Sequence, residues 1–130
     1  MLTVLLIEDS KFLRIASERL LVKAGYRVIC AEDGEEALRK VYVDLERPDI
    51  ILLDMMLPKM GGPDVLLALK RDPATARIPV IVLTSLSQRN EAKLLRDGAA
   101  AYLEKSRLVD CPDPLLNAIE KLTRRDPRTA

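Results

Sequence analysis

Five short apolar runs, separated by segments with helical patterning, restrict the fold of this chain more than any other feature. They cover Thr3–Ile7, Arg27–Ala31, Ile50–Asp54, Val80–Thr84 and Ala101–Glu104. The first, third and fourth runs are continuously apolar rather than alternating in polarity. Strands of this kind are covered on both faces, which is typical of a parallel sheet between two layers of helices. The sequence therefore predicts a three-layer, doubly wound α/β domain with a five-stranded parallel sheet.

Capping and breaking residues between these runs predict five helices. The boundaries are Ser10 and Gly25 for the first, Asp33 and Pro48 for the second, Pro63-Asp64 and Pro73 for the third, Ser87 and Asp97 for the fourth, and Pro112-Asp113-Pro114 at the start of the fifth. No linker or internal repeat interrupts this alternation. We expect one domain over residues 1–123, followed by a polar tail over residues 124–130.

Composition and charge exclude several functional classes. The chain has 130 residues, of which 48% are hydrophobic and 32% charged, as in a soluble domain with one core. A net charge of +1 gives no electrostatic reason to expect nucleic-acid binding. No apolar run approaches the roughly 20 residues of a membrane span, and the N-terminus lacks the layout of a signal peptide. We therefore expect a cytoplasmic protein without a nucleic-acid or membrane partner.

Histidine is absent, and the two cysteines are isolated. Without histidine, the chain cannot form Ser-His-Asp or Cys-His nucleophilic sites, and most zinc sites are excluded. Cys30 and Cys111 are far apart and have no metal-binding spacing, so we expect reduced thiols that pack as small apolar side chains. Any phosphohistidine chemistry therefore needs a histidine from another protein.

Chemically active side chains follow four of the predicted strands. Glu8 and Asp9 come after the first strand, Asp54 ends the third, Thr84 ends the fourth, and Lys105 follows the fifth. Ligands of open parallel sheets bind outside the carboxyl ends of the strands, where the strand order reverses. A single charged residue at a strand end often only faces water. The whole set, each member placed directly after an apolar run, predicts a shared site.

Three carboxylates that converge need a compensating charge. At about 4 Å, each pair would repel by up to about 4 kcal/mol at an effective dielectric constant near 20, whereas a small domain has a total stability of only about 5–15 kcal/mol. Mg²⁺ prefers oxygen ligands and binds through one or two carboxylates plus phosphate oxygens. A carboxylate can also attack phosphorus to form an acyl phosphate. The pattern therefore favours Mg²⁺-dependent phosphoryl chemistry.

Four segments carry more specific patterns: VLLIEDS at 4–10, DIILLDMMLPKMGG at 49–62, IPVIVLTS at 78–85 and GAAAYLEK at 98–105. In this order and spacing they resemble the response-regulator receiver domain, the CheY-like domain of two-component signalling. The resemblance spans residues 3 to about 123. It implies a flavodoxin-like fold with strand order 2-1-3-4-5. It also implies a phosphorylation-dependent signalling switch, with some capacity to catalyse its own phosphorylation, rather than an enzyme.

The resemblance implies a metal and acceptor site at the end of the first and third strands. Asp54 would be the phosphoacceptor. Asp9, Asp54 and the backbone carbonyl of Met56 would hold Mg²⁺, joined by Glu8 mainly through water. The phosphoryl donor would be the phosphohistidine of a histidine kinase or phosphotransfer protein.

The resemblance also implies a switch. Lys105 would pair with the phosphoryl group, and Thr84 would move to hydrogen-bond it. Tyr102 would then change between an outward and an inward rotamer. A downstream target protein would read this change on the face formed by the fourth helix, the fifth strand and the fifth helix.

Three residues depart from the family pattern in ways that affect geometry. Glu8 stands where Asp is usual, which the family accommodates. Gly61 replaces the usual Asp, Asn or Ser, so the loop after Asp54 gains conformational freedom. Ser106 replaces the usual Pro and should leave an ordinary trans peptide. The sequence therefore leaves the placing of Lys105 open.

A further departure concerns the lifetime of the phosphoryl group. In the family, the residues two positions after the acceptor and two after the threonine influence access of the hydrolytic water. Here they are Met56 and Leu86, which are apolar and cannot orient water. We therefore predict slow self-dephosphorylation of Asp54.

The first helix has more apolar residues than one core face needs. Phe12, Ile15 and Val22 lie to one side at near-helical spacing. They either pack against the fifth helix or its loop, or form a docking patch for a histidine kinase or phosphotransfer protein. The sequence does not separate these alternatives.

Three other functions fit the same layout less well. A phosphatase that uses an aspartyl phosphate would carry a second acid where Met56 stands. A flavodoxin-like cofactor binder would need a phosphate-binding loop where Glu8 and Asp9 would repel phosphate. A degenerate receiver would act as a protein-interaction module without phosphorylation. Against that alternative stand the complete acidic set, Thr84 and Lys105.

Overall fold

The computed structural model describes residues 1–43, 47–84, 91–105 and 110–124. Over these residues, strands and helices alternate along the chain: β1 Thr3–Ile7, α1 Lys11–Lys23, β2 Arg27–Ala31, α2 Gly34–Tyr42, β3 Ile50–Asp54, α3 Gly62–Arg71, β4 Val80–Thr84, α4 Glu91–Arg96, β5 Ala101–Glu104 and α5 Asp113–Thr123. The strands have the same bounds as the apolar runs, so the prediction of five strands is confirmed. None of the helices in this described part of the chain is long and apolar enough to cross a bilayer.

The strands form one parallel sheet in the order β2-β1-β3-β4-β5. The chain passes from β1 outward to β2 and then returns to the other side of β1 to form β3. The strand order therefore reverses between β1 and β3, where Ile7 lies opposite Leu53 in the register. The carboxyl ends of these two strands open on the crevice in which doubly wound folds bind their ligands. The predicted fold class is confirmed.

Both faces of the sheet are covered, which explains the continuous apolar runs. On one face, Leu5 and Ile7 of β1 join an apolar cluster with residues of α2 and α3. On the other face, Val4 and Leu6 join a cluster with residues of α1 and α5. Because successive side chains of a strand point to opposite faces, a strand between two helical layers must be apolar at every position. The crevice thus lies at the ends of β1 and β3, two strands that are buried at every position.

Local signals at the helix ends act largely as the sequence indicates. The Ser10 hydroxyl accepts a hydrogen bond from the Leu13 amide at 3.4 Å and caps α1. Asp33 caps α2 by accepting a hydrogen bond from the Glu36 amide at 2.8 Å. Gly25, with a φ of 101°, adopts the left-handed conformation that follows α1.

Two helix boundaries differ from the sequence prediction or lie partly outside the described residues. The expectation that Pro48 closes α2 is wrong, because α2 ends at Tyr42. Pro48 instead precedes β3, where the Asp49 amide donates to the Thr3 carbonyl and joins this segment to the start of β1. The predicted start of the fourth helix at Ser87 lies outside the described residues, which contain α4 from Glu91 onward.

Candidate functional site

Strand register places two buried carboxylates side by side at the crevice. Glu8 directly follows Ile7, and Asp54 directly follows Leu53, its partner across the β1–β3 pair. The side chains of Glu8 and Asp54 are almost fully buried, whereas Asp9 is exposed. Carboxylate oxygens of Glu8, Asp9 and Asp54 all lie within 4.8 Å of one another. The structure therefore brings together the three acids that the sequence analysis grouped.

Lys105 enters this acidic cluster from the end of β5. Its Nζ atom lies 2.7 Å from Oδ2 of Asp54 and 2.8 Å from Oε1 of Glu8. The lysine side chain is only 14% exposed, so both ion pairs are shielded from water. Ser106, whose replacement of Pro left the placing of Lys105 open, lies outside the described residues. The lysine nevertheless reaches the site.

Burial and charge shift the pKa values of two groups in the cluster. Burial raises the pKa of Glu8 to about 7, against the lowering effect of the Lys105 ammonium and the Ser10 amide, and the Asp54 carboxylate raises it further. Burial lowers the pKa of Lys105, but its hydrogen bonds with Asp54 and Glu8 outweigh that effect and leave the pKa raised. The lysine therefore keeps its positive charge at neutral pH, and Glu8 is partly protonated.

The cluster has the charge and the donor atoms of a magnesium site. When the three carboxylates are ionised, the Lys105 ammonium leaves two negative charges uncompensated. The donors are carboxylate oxygens, which suit a hard divalent cation. The Met56 amide donates to Oδ1 of Asp54 at 3.0 Å, so the backbone at Met56 lies directly beside the Asp54 carboxylate. The residues present thus fit Mg²⁺.

Thr84 and Tyr102, which we expect to form the switch, belong to the neighbouring strands β4 and β5. The register pairs Asp54 with Leu83, so the backbone of Thr84 extends β4 just beyond the level of the acid. Tyr102 lies on the edge strand β5, is half-buried, and packs against the apolar cluster of the α2–α3 face. Leu86, one of the two residues expected to affect the phosphoryl lifetime, lies outside the described residues. The other, Met56, is 58% exposed.

Three apolar side chains of α1 form an exposed strip. Phe12 is 75% exposed, Val22 is 54% exposed and Ile15 is 38% exposed. None of the three belongs to the apolar cluster that α1 shares with α5 in the described part of the chain. We call Phe12, Ile15 and Val22 the α1 strip.

Sequence reasoning missed Arg14, which lies in the first turn of α1, five positions after Asp9. One guanidinium nitrogen, Nη1, donates to the backbone carbonyls of Glu8 and Asp9 at 3.0 and 3.3 Å. The other, Nη2, pairs with Glu32 at 3.2 Å. An arginine on an amphipathic helix usually lies on the solvated face, so the residue type alone did not indicate contacts with the acidic pair. Its spacing from the acidic pair was the only available hint.

Comparison with known proteins identifies relatives that match most of this chain. The chain matches the response regulator receiver domain over residues 4–112. It is 46% identical over 124 residues to a gliding motility regulatory protein of Myxococcus xanthus. The matching segment covers 94% of this chain and 15% of that protein. The chain spans between 7% and 48% of the length of the similar curated relatives.

Two solved structures bear on the chemistry of the site. The Mn²⁺-bound form of the response regulator Rcp1 superposes with a TM-score of 0.80 at 31% identity, covering 93% of both chains. The phosphorylated cyanobacterial phytochrome response regulator RcpA superposes with a TM-score of 0.82 at 29% identity, covering 96% of this chain and 97% of that one. Proteins with this fold thus include one with a bound divalent cation and one that is phosphorylated.

Proposed function

This chain belongs to the response regulator receiver domain family, and on that basis we propose that it is a phosphorylation-dependent switch with Asp54 as the phosphoacceptor. The observation that best supports this proposal is the buried Asp54 carboxylate, 1% exposed, with the Lys105 ammonium 2.7 Å away and Glu8 and Asp9 beside it. The proposed donor is the phosphohistidine of a histidine kinase or phosphotransfer protein, and since this chain has no histidine, that donor is a separate protein.

The contacts of Asp54 prepare it as a nucleophile. The Met56 amide holds Oδ1 and the Lys105 ammonium holds Oδ2, so the plane of the carboxylate is fixed before the donor arrives. A carboxylate oxygen then forms a bond to phosphorus while the bond from phosphorus to the donor imidazole nitrogen breaks. Lys105 neutralises negative charge on the phosphoryl oxygens, a contribution that grows in a site shielded from water.

Mg²⁺ completes the charge balance of this reaction. Asp9, Asp54 and the Met56 carbonyl would hold it, with Glu8 acting mainly through water. When bound, the cation supplies positive charge to the phosphoryl oxygens during transfer. The excess of carboxylates over the single Lys105 ammonium in the cluster supports this assignment.

The proposed output uses Thr84, at the end of β4, and Tyr102, within β5. We propose that the Thr84 hydroxyl bonds the phosphoryl group and that Tyr102 changes rotamer in response. The register places Tyr102 opposite Val82, two residues before Thr84 on the adjacent strand. The α4–β5–α5 face then presents the change to a target protein. We assign this receiver unit to residues 1–123, with residues 124–130 as a tail, and place it in the cytoplasm.

A phosphorylation assay tests the proposal directly. The purified chain is incubated with acetyl phosphate and Mg²⁺, and its intact mass is measured. We expect the gain of one phosphoryl group, its loss in Asp54→Ala, and little gain when EDTA removes the cation. A wild-type chain that gains nothing would favour the degenerate receiver that acts as an interaction module. An equal gain in Asp54→Ala would place the acceptor elsewhere.

A further inference from the structure

The turn between β2 and α2 contacts both loops that carry the proposed metal ligands. We define the brace as residues 31–34, which are Ala31, Glu32, Asp33 and Gly34. The first ligand loop follows β1 and carries Glu8 and Asp9. The second follows β3 and carries Met56. None of the brace residues belongs to the proposed site, so their contacts call for a separate explanation.

The brace holds the first ligand loop through the backbone and through Arg14. The Ala31 carbonyl accepts a hydrogen bond from the Glu8 amide at 3.0 Å. Glu32 pairs with the Arg14 guanidinium, which donates to the carbonyls of Glu8 and Asp9. The Arg14 side chain is only 14% exposed. Its hydrogen bond to the Glu8 carbonyl is partly buried, whereas those to the Asp9 carbonyl and Glu32 are exposed. The charged donor makes each of them stronger than a neutral hydrogen bond. Arg14 therefore fixes the backbone of both acids.

The brace reaches the second ligand loop through Asp33 and Gly34. Asp33 Oδ2 lies 3.6 Å from Nζ of Lys59, a residue held at a φ of 63°. A Cβ atom on Gly34 would lie only 3.0 Å from the Met60 carbonyl oxygen. The absence of a side chain at Gly34 is what lets the two segments approach this closely. Asp33 also caps α2 through its other oxygen, so the brace is anchored to a helix.

We propose that Arg14 and the brace set the spacing of the two ligand loops and thereby the Mg²⁺ affinity of the site. This inference rests on the proposed function, and it makes Arg14 a positioning residue rather than a ligand. An effect of Arg14 through charge alone would change the Mg²⁺ affinity in the opposite direction. Arg14 is a cation beside a cation site, so its removal would tighten Mg²⁺ binding if it acted only through its charge. If it acts by holding the carbonyls of Glu8 and Asp9, its removal weakens binding.

Calorimetric titration with Mg²⁺ separates these two effects. We expect Arg14→Met to raise the Mg²⁺ dissociation constant about 10-fold, the lower end of the range for residues that orient metal ligands. Arg14→Lys keeps the charge but not the forked set of donors, so it should fall between Arg14→Met and the wild type. Arg19→Met removes a charge from the exposed face of the same helix and should change the constant by less than about two-fold. Unchanged or tighter binding in Arg14→Met would overturn the proposal.

A double-mutant cycle tests whether Glu32 acts through Arg14. Glu32→Gln should weaken Mg²⁺ binding less than Arg14→Met, because the hydrogen bonds from Arg14 to the two carbonyls remain. The double variant should then bind Mg²⁺ like Arg14→Met alone. If both residues act only by charge, Arg14→Met tightens Mg²⁺ binding and Glu32→Gln weakens it. The two effects then cancel in the double variant. Such cancellation would contradict the brace.

Amide hydrogen exchange in the metal-free protein distinguishes a failure of the brace from a failure of the proposed function. The Glu8 amide donates to Ala31 and the Ser10 amide donates to Oε2 of Glu8, so both report on the first ligand loop. In Arg14→Met we expect these amides to exchange about 10-fold faster at an unchanged melting temperature. A wild-type chain that takes up neither Mg²⁺ nor phosphoryl would refute the proposed function alone. Unchanged exchange in Arg14→Met would refute the brace.

Discussion

At the scale of single residues, the two oxygens of Asp54 have different partners. Oδ1 accepts from the Met56 amide and Oδ2 from the Lys105 ammonium. Met56, which supplies the first contact, has a side chain that is 58% exposed. Under the proposed function, we expect these neighbours of Asp54 to affect both the arrival of a phosphoryl group and its lifetime.

The phosphoryl group on Asp54 should persist for minutes or longer in the presence of Mg²⁺. Met56 cannot orient the attacking water, whereas Met56→Asn supplies an amide that can, so we expect that variant to lose the group several-fold faster. Intact mass, followed after removal of acetyl phosphate, measures the loss. Val43→Asn changes an apolar residue that is 71% exposed on another element and should have no effect. A wild-type lifetime of seconds would contradict the prediction.

Two adjacent glycines after Asp54 should differ in their tolerance of a side chain. A Cβ on Gly62 would lie 2.6 Å from the Met55 Cα and 2.8 Å from the Asp54 carbonyl oxygen, so the backbone of the site must move. We expect Gly62→Ala to lower the free energy of unfolding by about 2 kcal/mol. At Gly61 the nearest contact would be an ordinary 3.7 Å, and the loss should be smaller. Urea denaturation followed by circular dichroism suits this chain, which has no Trp. Equal losses would refute the distinction.

At the scale of elements, α1 has one face in the core and one exposed apolar strip. Leu21 is fully buried against the sheet, whereas Phe12 is 75% exposed. Monomeric soluble domains rarely expose neighbouring large apolar side chains without an interaction to use them. Aromatic residues are favoured as anchors of such interactions. The strip therefore supports docking of the phosphoryl donor on α1.

Phe12→Ala should slow phosphotransfer from a protein donor while leaving phosphorylation by acetyl phosphate unchanged. The small donor needs only the Asp54 site, whereas a histidine phosphotransfer protein must also bind α1. Loss of a central aromatic anchor typically costs about 2 kcal/mol of binding, or roughly 30-fold in the specificity constant. Radiolabelled transfer from a phosphorylated histidine phosphotransfer protein of the same organism measures it. Val43→Ala, directly after α2, serves as the control. An unchanged rate of protein transfer with intact folding would exclude the strip.

The N-terminus of α2 should contribute a pH-dependent part of the stability. The Glu36 amide, which donates to Asp33, lowers the pKa of that carboxyl below its usual 3.8. Since the folded pKa is the lower one, the contribution is complete above the unfolded value and is lost as the pH falls through the folded value. We expect Asp33→Ala to lower the free energy of unfolding by about 1 kcal/mol at neutral pH.

The same loss should shrink as the pH falls below 3.8. Asp33→Asn keeps a capping oxygen without the charge, so it should cost less at neutral pH. Urea denaturation at several pH values measures both variants against the wild type. A loss in Asp33→Ala that is constant across this pH range would show that the cap does not depend on ionisation.

At the scale of the whole molecule, the sheet holds groups that are distant in sequence at one edge. Lys105 and Glu8 are separated by 97 positions, yet their charged atoms lie 2.8 Å apart. Glu8 follows β1, which is buried at every position, whereas Lys105 follows the edge strand β5. A cation that binds all of these groups should therefore stabilise the entire domain.

Mg²⁺ should raise the melting temperature of the wild-type chain. A ligand that binds only the folded state at 100 times its dissociation constant contributes about 2.7 kcal/mol. For a domain of this size, that corresponds to a rise of roughly 10 °C. Asp9→Asn removes an exposed ligand and should abolish most of the rise without unfolding the domain. Scanning calorimetry, with sodium chloride at equal ionic strength as the control, measures the shift. A wild-type chain with no rise would argue against the cation site.

Much of the fold could be predicted from the sequence, because strands that are buried on both faces are apolar at every position. The bounds of β1 and β3 follow from their unbroken apolar runs, and Asp33 and Gly25 act at helix ends through local hydrogen bonding and backbone conformation. The end of α2 could not be read this way. Pro48 cannot continue a helix, but α2 has already ended at Tyr42, and Pro48 instead leads into β3, where the Asp49 amide donates to the Thr3 carbonyl.

By itself, the sequence determined that three acids, Thr84 and Lys105 would follow buried strands, because that order along the chain is independent of packing. Only the tertiary structure decided that Lys105 lies between Glu8 and Asp54, that burial raises the pKa of Glu8 to about 7, and that Arg14 holds the carbonyls of the acidic pair. These properties depend on how each helix is rotated against the sheet and on how much water each charge retains. Both are set by contacts between residues far apart in the chain.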